Sequence, residues 1–190
     1  MKSSPQKKYL FIFVTVSLVA LGIYFFRPFK IRMVGFVTDL SARTLIQKQN
    51  ILRAADSLSG VVLESGQVFS FNEQVGPYTE EKGYKPERSF VNKGVQNTSG
   101  GGVCQVASTL YNAVKKAGFE ILERVPHSQE VESVGPGMDA TLAYGVADLK
   151  FKNSYPFPIK IVSNISKDQL KIEIWGKRSS PSLWEKGARL

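Results

Sequence analysis

Cys104 is the chain's single cysteine and His127 its single histidine, and they stand one expected helix and one expected strand apart. Cys104 closes the run Gly100-Gly101-Gly102-Val103 at an expected helix start, where unpaired backbone N–H groups favour a thiolate and can hold a developing oxyanion. An imidazole is the usual base for such a nucleophile. These residue types in this order suit thiol-dependent hydrolysis or acyl transfer, with Cys104 as nucleophile and His127 as base. Asp148, Asp139 and Asn153 compete for the third role, holding the ring. Asp148 is preferred because it begins an alternating strand and so has a fixed direction, whereas Asp139 follows the turn residues Gly135-Pro136-Gly137. A metal is not expected, because one Cys and one His lack a close-spaced ligand pair. No cofactor is implied.

The same residues have plainer readings. A free cysteine is commonly a small buried hydrophobe, and a histidine after Pro126 is commonly an ordinary loop residue. Three glycines either form a plain flexible loop or let a substrate backbone approach the thiol closely.

The elements that would position the pair are legible from periodicity. Ser41 reads as the N-cap of a first helix whose stripe Ile51, Ala55 and Leu58 stops at Gly60. Val61–Leu63, Gln67–Phe71 and Phe90–Val95 read as short strands, with turns at Gly76-Pro77 and Lys82-Gly83. A second helix is expected from Cys104 to Ala117, ended by Gly118. At about 100° per residue, Val106, Leu110, Ala113, Val114 and Ala117 form its core stripe, which leaves Cys104, Ser108, Tyr111 and Lys115 on another side. A strand over Phe119–Val125 would return the chain toward the helix start and deliver His127 there. Asp148–Lys152, Ile159–Ile161 and Leu170–Ile174 alternate as half-buried antiparallel strands.

With 43% hydrophobic and 22% charged residues in 190, the chain suits one globular domain plus an appendage. The formal charge of +9 is concentrated at the start: Met1–Arg32 holds six basic residues and no acidic one, which leaves +3 (9 − 6) for the rest. No basic stripe interleaved with aromatics remains, so nucleic acid is excluded as a partner. Tyr9–Phe26 carries no charge and approaches the roughly 20 residues that span a bilayer as a helix. Lys2, Lys7 and Lys8 before it fit a signal-anchor. Ala20-Leu21-Gly22 offers a rival cleavage site, but the bulky Ile23-Tyr24-Phe25-Phe26 continues the apolar stretch and favours an uncleaved anchor. The expected organisation is a basic stub (1–8), a transmembrane signal-anchor (9–26), a linker (27–36), one α+β domain of two main helices on antiparallel strands (37–176) and a tail (177–190). The domain would lie outside the cell membrane, held by a single pass.

Several separate motifs resemble the VanW family: Gly66-Gln67-Val68-Phe69-Ser70-Phe71-Asn72, then Gly100-Gly101-Gly102-Val103-Cys104-Gln105 leading into Thr109-Leu110-Tyr111-Asn112-Ala113. Glu123-Arg124 with His127-Ser128, Gly137-Met138-Asp139-Ala140-Thr141 and Asp148-Leu149-Lys150-Phe151-Lys152-Asn153 follow in order. The resemblance covers Val37–Gly176. Where the family usually reads Ser-Thr-Thr after Cys-Gln-Val, this chain has Ala107-Ser108-Thr109. The resemblance implies a Gram-positive envelope protein of the kind named for an accessory gene in vancomycin-resistance clusters, with peptidoglycan or its peptides as partner. It implies a location more than a reaction. The order Cys, His, Asp also looks like that of papain- and transglutaminase-like thiol enzymes, although Gln105 and Val106 follow the cysteine here in place of an aromatic residue.

Three classes of function remain: a thiol hydrolase or acyltransferase on peptidoglycan peptides, a non-catalytic peptidoglycan-binding or envelope-assembly module, and a structural role for both residues. Under the first two, Gly101, Gly102, Gln105, Arg124, Ser128, Asp139 and Asn153 are the expected ligand contacts around Cys104, His127 and Asp148.

Overall fold

Apolar–polar alternation near the end of the chain builds the central sheet. Ile159 and Ile161 are fully buried in β8 (Ile159–Ser166), as are Leu170, Ile172 and Ile174 in β9 (Gln169–Gly176). The two strands meet at Lys167 and Asp168, whose left-handed φ angles of 50° and 57° suit a two-residue hairpin of matching twist. β1 (Ile31–Asp39) pairs with β9, and the short β2 (Val62–Leu63) with β8, so the antiparallel order is β1-β9-β8-β2. β1 starts inside the stretch read as a linker, because its pairing with β9 continues back to Ile31 opposite Gly176. The computed structural model describes Tyr9 and residues 29–91 and 94–177. The rest of the expected membrane segment Tyr9–Phe26, the basic stub and the tail beyond 177 lie outside the described residues. Among the described residues no helix is long and apolar enough to cross a membrane.

Helices α1 (Leu45–Leu58) and α3 (Val103–Lys116) pack on this sheet and on each other, and a short α2 (Phe71–Val75) lies between them in sequence. The described residues thus form one mixed α+β domain with antiparallel sheets, two main helices and a third short one. Thr44, not Ser41, caps α1: its Oγ1 accepts from Gln47 N–H while Gln47 Oε1 accepts from Thr44 N–H. Ser41 is instead turned to the Asp39 side chain through its N–H and its hydroxyl. The expected strand over Phe90–Val95 is the turn end of a hairpin, β4 (Pro86–Val91) with β5 (Gly94–Ser99), in which Val91 faces Gly94. Folding back satisfies backbone groups that a lone strand would leave unpaired. Gly118 ends α3 as expected, at φ 77°.

A second sheet, β3-β7-β6, joins β3 (Val68–Ser70), β7 (Lys150–Lys152) and β6 (Glu120–Glu123). Phe151 sits at its centre, opposite Phe69 and Ile121, with its ring stacked on Phe69 at 4.9 Å. The expected strand Gln67–Phe71 is cut short because Ser70 turns to cap α2, its Oγ accepting from Glu73 N–H. The side of α3 off the core stripe is largely covered too, and of its four residues only Lys115 is exposed. Ser108, Tyr111 and Asn112 are buried.

Asn153 belongs to this framework and not to a ligand site. It is fully buried, its Nδ2 donates to the carbonyls of Leu63, Glu64 and Phe157 at 3.0 to 3.1 Å, and its Oδ1 accepts from Tyr155 N–H. It thereby ties the end of β7 to β2 and the approach to β8. Asn153→Leu keeps the volume but strips three carbonyls of a donor, so a loss of roughly 3 kcal/mol or more is expected. Urea unfolding of the purified protein should show a lower midpoint with an unchanged slope. An unshifted midpoint would contradict this structural role.

Candidate functional site

Packing explains the glycines before α3. Gly100 and Gly102 have φ of 90° and 100°, and a Cβ on Gly100 would lie 2.7 Å from Tyr78 Cβ. One on Gly102 would lie 3.1 Å from Ile51 Cγ1 and 3.2 Å from the Gln47 carbonyl oxygen. Gly101 faces the interior through its carbonyl, which accepts from Asn50 Nδ2 at 3.1 Å. Of the two glycines expected to meet a ligand, Gly102 and not Gly101 is in the wall of the cavity beside Cys104. The helix start is also less open than expected: Val103 N–H is bonded to Gly100 O and Gln105 N–H to Gly102 O, each at 3.0 Å.

The side of α3 that carries Cys104, Ser108 and Asn112 is covered by the extended segment Met138–Leu142. Leu142 N–H points at Cys104 Sγ (3.4 Å), Ala140 N–H donates to Ser108 Oγ (2.9 Å), and Asn112 Nδ2 donates to Met138 O (2.6 Å). The alternate residues face the other way. Asp139 O accepts from Arg124 Nε at 2.6 Å, and Thr141 N–H donates to Val125 O at 2.7 Å. The segment is therefore clamped between side chains of α3 and the chain that continues from β6.

This clamp brings Asp139 to the imidazole. Asp139 Oδ2 accepts from His127 N–H at 2.6 Å and meets His127 Nδ1 at 2.7 Å, and Oδ1 accepts from Arg124 Nη2 at 2.7 Å. Burial alone would raise the Asp139 carboxyl. The hydrogen bonds from His127 and its own backbone, with the Arg124 charge, outweigh burial and hold it below the usual value. An ionised carboxylate only accepts, so Nδ1 carries a proton, and the neutral form of the ring then has its lone pair on Nε2. Nε2 makes no hydrogen bond among the described residues.

Asp148 is not the orienter. Its Oδ2 accepts from Ser70 Oγ at 2.6 Å and its Oδ1 from the backbone N–H of Asn72 and Leu149, so strand β3 and the start of α2 use its acceptors. It lies with Ser70, Glu73, Glu123 and Lys150 around a separate cavity of about 400 Å³. Arg124 is likewise a support and not an open ligand contact, held over the Tyr111 ring at 5.3 Å while it grips Asp139. Ser128 is exposed and is absent from the wall of the cavity that holds His127.

Cys104 and His127 do meet around one cavity of about 260 Å³, with Arg43, Gln47, Gly102, Gln105 and Ser108 in its wall. They are not hydrogen bonded to each other. Burial pushes the Cys104 thiol above its ordinary value and the Asp139 charge adds to this, against the N–H groups of Leu142 and Cys104. The thiol is neutral at rest. The expected thiolate fails because the helix-start N–H groups on either side of Cys104 are already bonded and the sulfur is desolvated. Ala107, where the resemblance noted a missing hydroxyl, lies in the hydrophobic core and not in this cavity. Arg43, Gln47 and Ser108 are wall residues that the sequence did not mark as part of the site.

Comparison with known proteins agrees with the sequence resemblance. A family model described as VanW like protein matches residues 46–175. YoaR of Bacillus subtilis, described as uncharacterized, is 40% identical over 126 residues, which are 66% of this chain and 42% of that protein. The vancomycin B-type resistance protein VanW of Enterococcus faecalis is 25% identical over 145 residues, 72% of this chain and 51% of its own length. The chain thus spans about half the length of the curated relatives it matches. No solved structure matches it.

The lowered Asp139 pKa makes a signed prediction. Its bonds stabilise the fold above the ordinary value of 3.8 and are lost as pH falls through the lower folded value. Wild-type protein should lose stability below pH 3.8, and Asp139→Asn should be less stable at neutral pH but lose less on acidification. Urea midpoints measured from pH 6 down to about pH 2 would check this; parallel curves for the two proteins would contradict it.

Proposed function

The chain belongs to the VanW family, and from that premise we propose that its domain is a cysteine-dependent hydrolase or acyltransferase acting on peptidoglycan peptides. One observation carries the reading: Cys104 and His127 line the same cavity, and the imidazole is fixed from behind by Asp139 at 2.7 Å. In this reading Sγ attacks a peptide carbonyl carbon while its proton passes to His127 Nε2. The C–N bond then breaks, the imidazolium returns the proton to the leaving amine, and a thioester remains on Cys104. Water, or a second amine in transfer, takes the acyl group and restores the thiol. Asp139 keeps the tautomer and stabilises the imidazolium, as third members of such triads do. In this reading the Leu142 N–H, 3.4 Å from the sulfur, is the backbone donor to the oxyanion. A neutral resting thiol fits this scheme, because the proton leaves during attack and not before it.

Peptidoglycan as the substrate source is supported by the resistance named for the Enterococcus relative and by the uncharged Tyr9–Phe26 segment, which would anchor the domain outside the membrane. A second reading, a non-catalytic peptidoglycan-binding or envelope-assembly module, is favoured by the desolvated thiol and the absence of a Cys104–His127 hydrogen bond.

Peptidoglycan stem peptides incubated with the protein and followed by mass spectrometry should separate the two. The first reading expects release of a peptide fragment, none with Cys104→Ser, and a rate lowered by about 10² to 10⁴ in His127→Ala. Peptide binding that is equal in wild type and Cys104→Ser, with no fragment from either, would establish the binding module instead. Alkylation of Cys104 should accelerate only at alkaline pH, above the ordinary value of 9.0.

A further inference from the structure

Part of the wall of the Cys104 cavity is a single loop. Glu130, Val131, Glu132 and Ser133 line the cavity, all from residues 128–137, which leave the fold at His127 and rejoin it at Asp139. The two ends are fastened at one carboxylate, because Asp139 Oδ2 accepts from His127 N–H at 2.6 Å, and α3 holds Met138 O and Ala140 N–H through Asn112 and Ser108. Between those ends nothing comparable holds the chain. Residues 128–134 make no hydrogen bond or ion pair among the described residues, and the backbone bond that follows, Met138 N–H to Gly135 O at 3.1 Å, lies within the return of the loop itself. Val131 and Val134 are half-buried but are not among the side chains packed on the hydrophobic core. Gly137 has a φ of 71°, and a Cβ there would meet nothing within 4 Å, so this glycine serves a backbone turning point and not close packing, unlike Gly100 and Gly102. A loop with fastened ends, no hydrogen bonds to the body and few buried apolar contacts opens at low cost in free energy.

We propose that residues 128–137 are a lid on the Cys104 cavity, closed in this structure, which swings away from α3 while His127 and Asp139 stay in place. The bonding separates what moves from what does not. His127 N–H and ring are held by Asp139, and Asp139 by Arg124, so opening inside that fastening breaks none of the bonds that set the imidazole. The volume calls for such a movement: about 260 Å³ is below the roughly 300 to 1,000 Å³ of sites that enclose a whole small ligand, so the closed cavity takes only a fragment of one. Closing again over a bound molecule excludes bulk water from the half-buried thiol. The lid governs access to Cys104 whether the domain cleaves peptides or only binds them, so the inference rests on neither reading.

The test follows modification of Cys104, the single thiol, in the full chain with two reagents: methyl methanethiosulfonate, small enough for the closed cavity, and fluorescein maleimide, a drug-sized probe that needs the lid open. With folded wild type the bulky reagent should react slowly, at a rate nearly flat in urea well below the unfolding midpoint, as local opening requires. Replacing residues 129–134 by two glycines should raise that rate by roughly tenfold or more and change the rate of the small reagent by less than about threefold, with circular dichroism confirming that the variant is folded. Three results would overturn the proposal: no reaction of folded wild type with the bulky reagent, a rate that climbs with urea as steeply as global unfolding, or equal bulky-reagent rates with and without the loop. The wild-type results decide the matter even where the shortened variant does not fold. Failure is separable from that of the thiol reading. Gated labelling without fragment release from stem peptides leaves the lid standing and removes the enzyme, whereas fragment release with ungated labelling does the reverse.

Discussion

The site depends on a match of rise between a helix face and an extended strand. Four residues of helix advance about 6 Å and two residues of strand about 6.6 Å, so side chains at Cys104, Ser108 and Asn112 can meet the backbone at Leu142, Ala140 and Met138 in step. Because strand residues alternate, the residues between them present their backbone groups to the opposite side. There Arg124 and Val125 take up Asp139 and Thr141. A shift of one residue would send Asp139 toward α3 and leave the imidazole without its carboxylate. The ladder thus fixes the thiol, the ring and the acid together, and the rest of the domain serves to hold α3 and β6 at the spacing it requires.

Electrostatically the cavity is divided. The Asp139 carboxylate is charged and saturated, with Arg124 and His127 as donors, while the Cys104 thiol sits desolvated beside a backbone N–H and carbonyl of Leu142. Burial dominates the sulfur, whereas at the acid the hydrogen bonds and the Arg124 charge together outweigh burial, so two titratable groups near one another are driven in opposite senses relative to their charged forms. Such a division suits general-base chemistry with a neutral nucleophile better than a resting ion pair.

Much of the scaffold was legible. The period-2 runs at Ile159–Ile161 and Leu170–Ile174, the stop at Gly118 and the Cys, His, Asp order all follow from local signals. The orienting acid was misread for a physical reason: a strand position gave Asp148 a definite direction, and that direction is toward Ser70 and Asn72. Asp139 follows turn residues, and its rigidity comes from hydrogen bonds to a helix more than twenty residues earlier, which no local pattern reveals. The burial of Ser108 and Asn112 has the same origin. Thr44 with Gln47 was a readable capping signal that Ser41 obscured.

The single histidine allows the central claim to be examined without assignment ambiguity. Nitrogen-15 NMR of ring-labelled protein, recorded on the neutral ring, reports the tautomer of His127 directly. Proton occupancy on Nδ1 with a bare Nε2, lost in Asp139→Asn, is the result that a carboxylate-held base beside Cys104 predicts. A neutral ring protonated on Nε2 in the wild-type protein would contradict it.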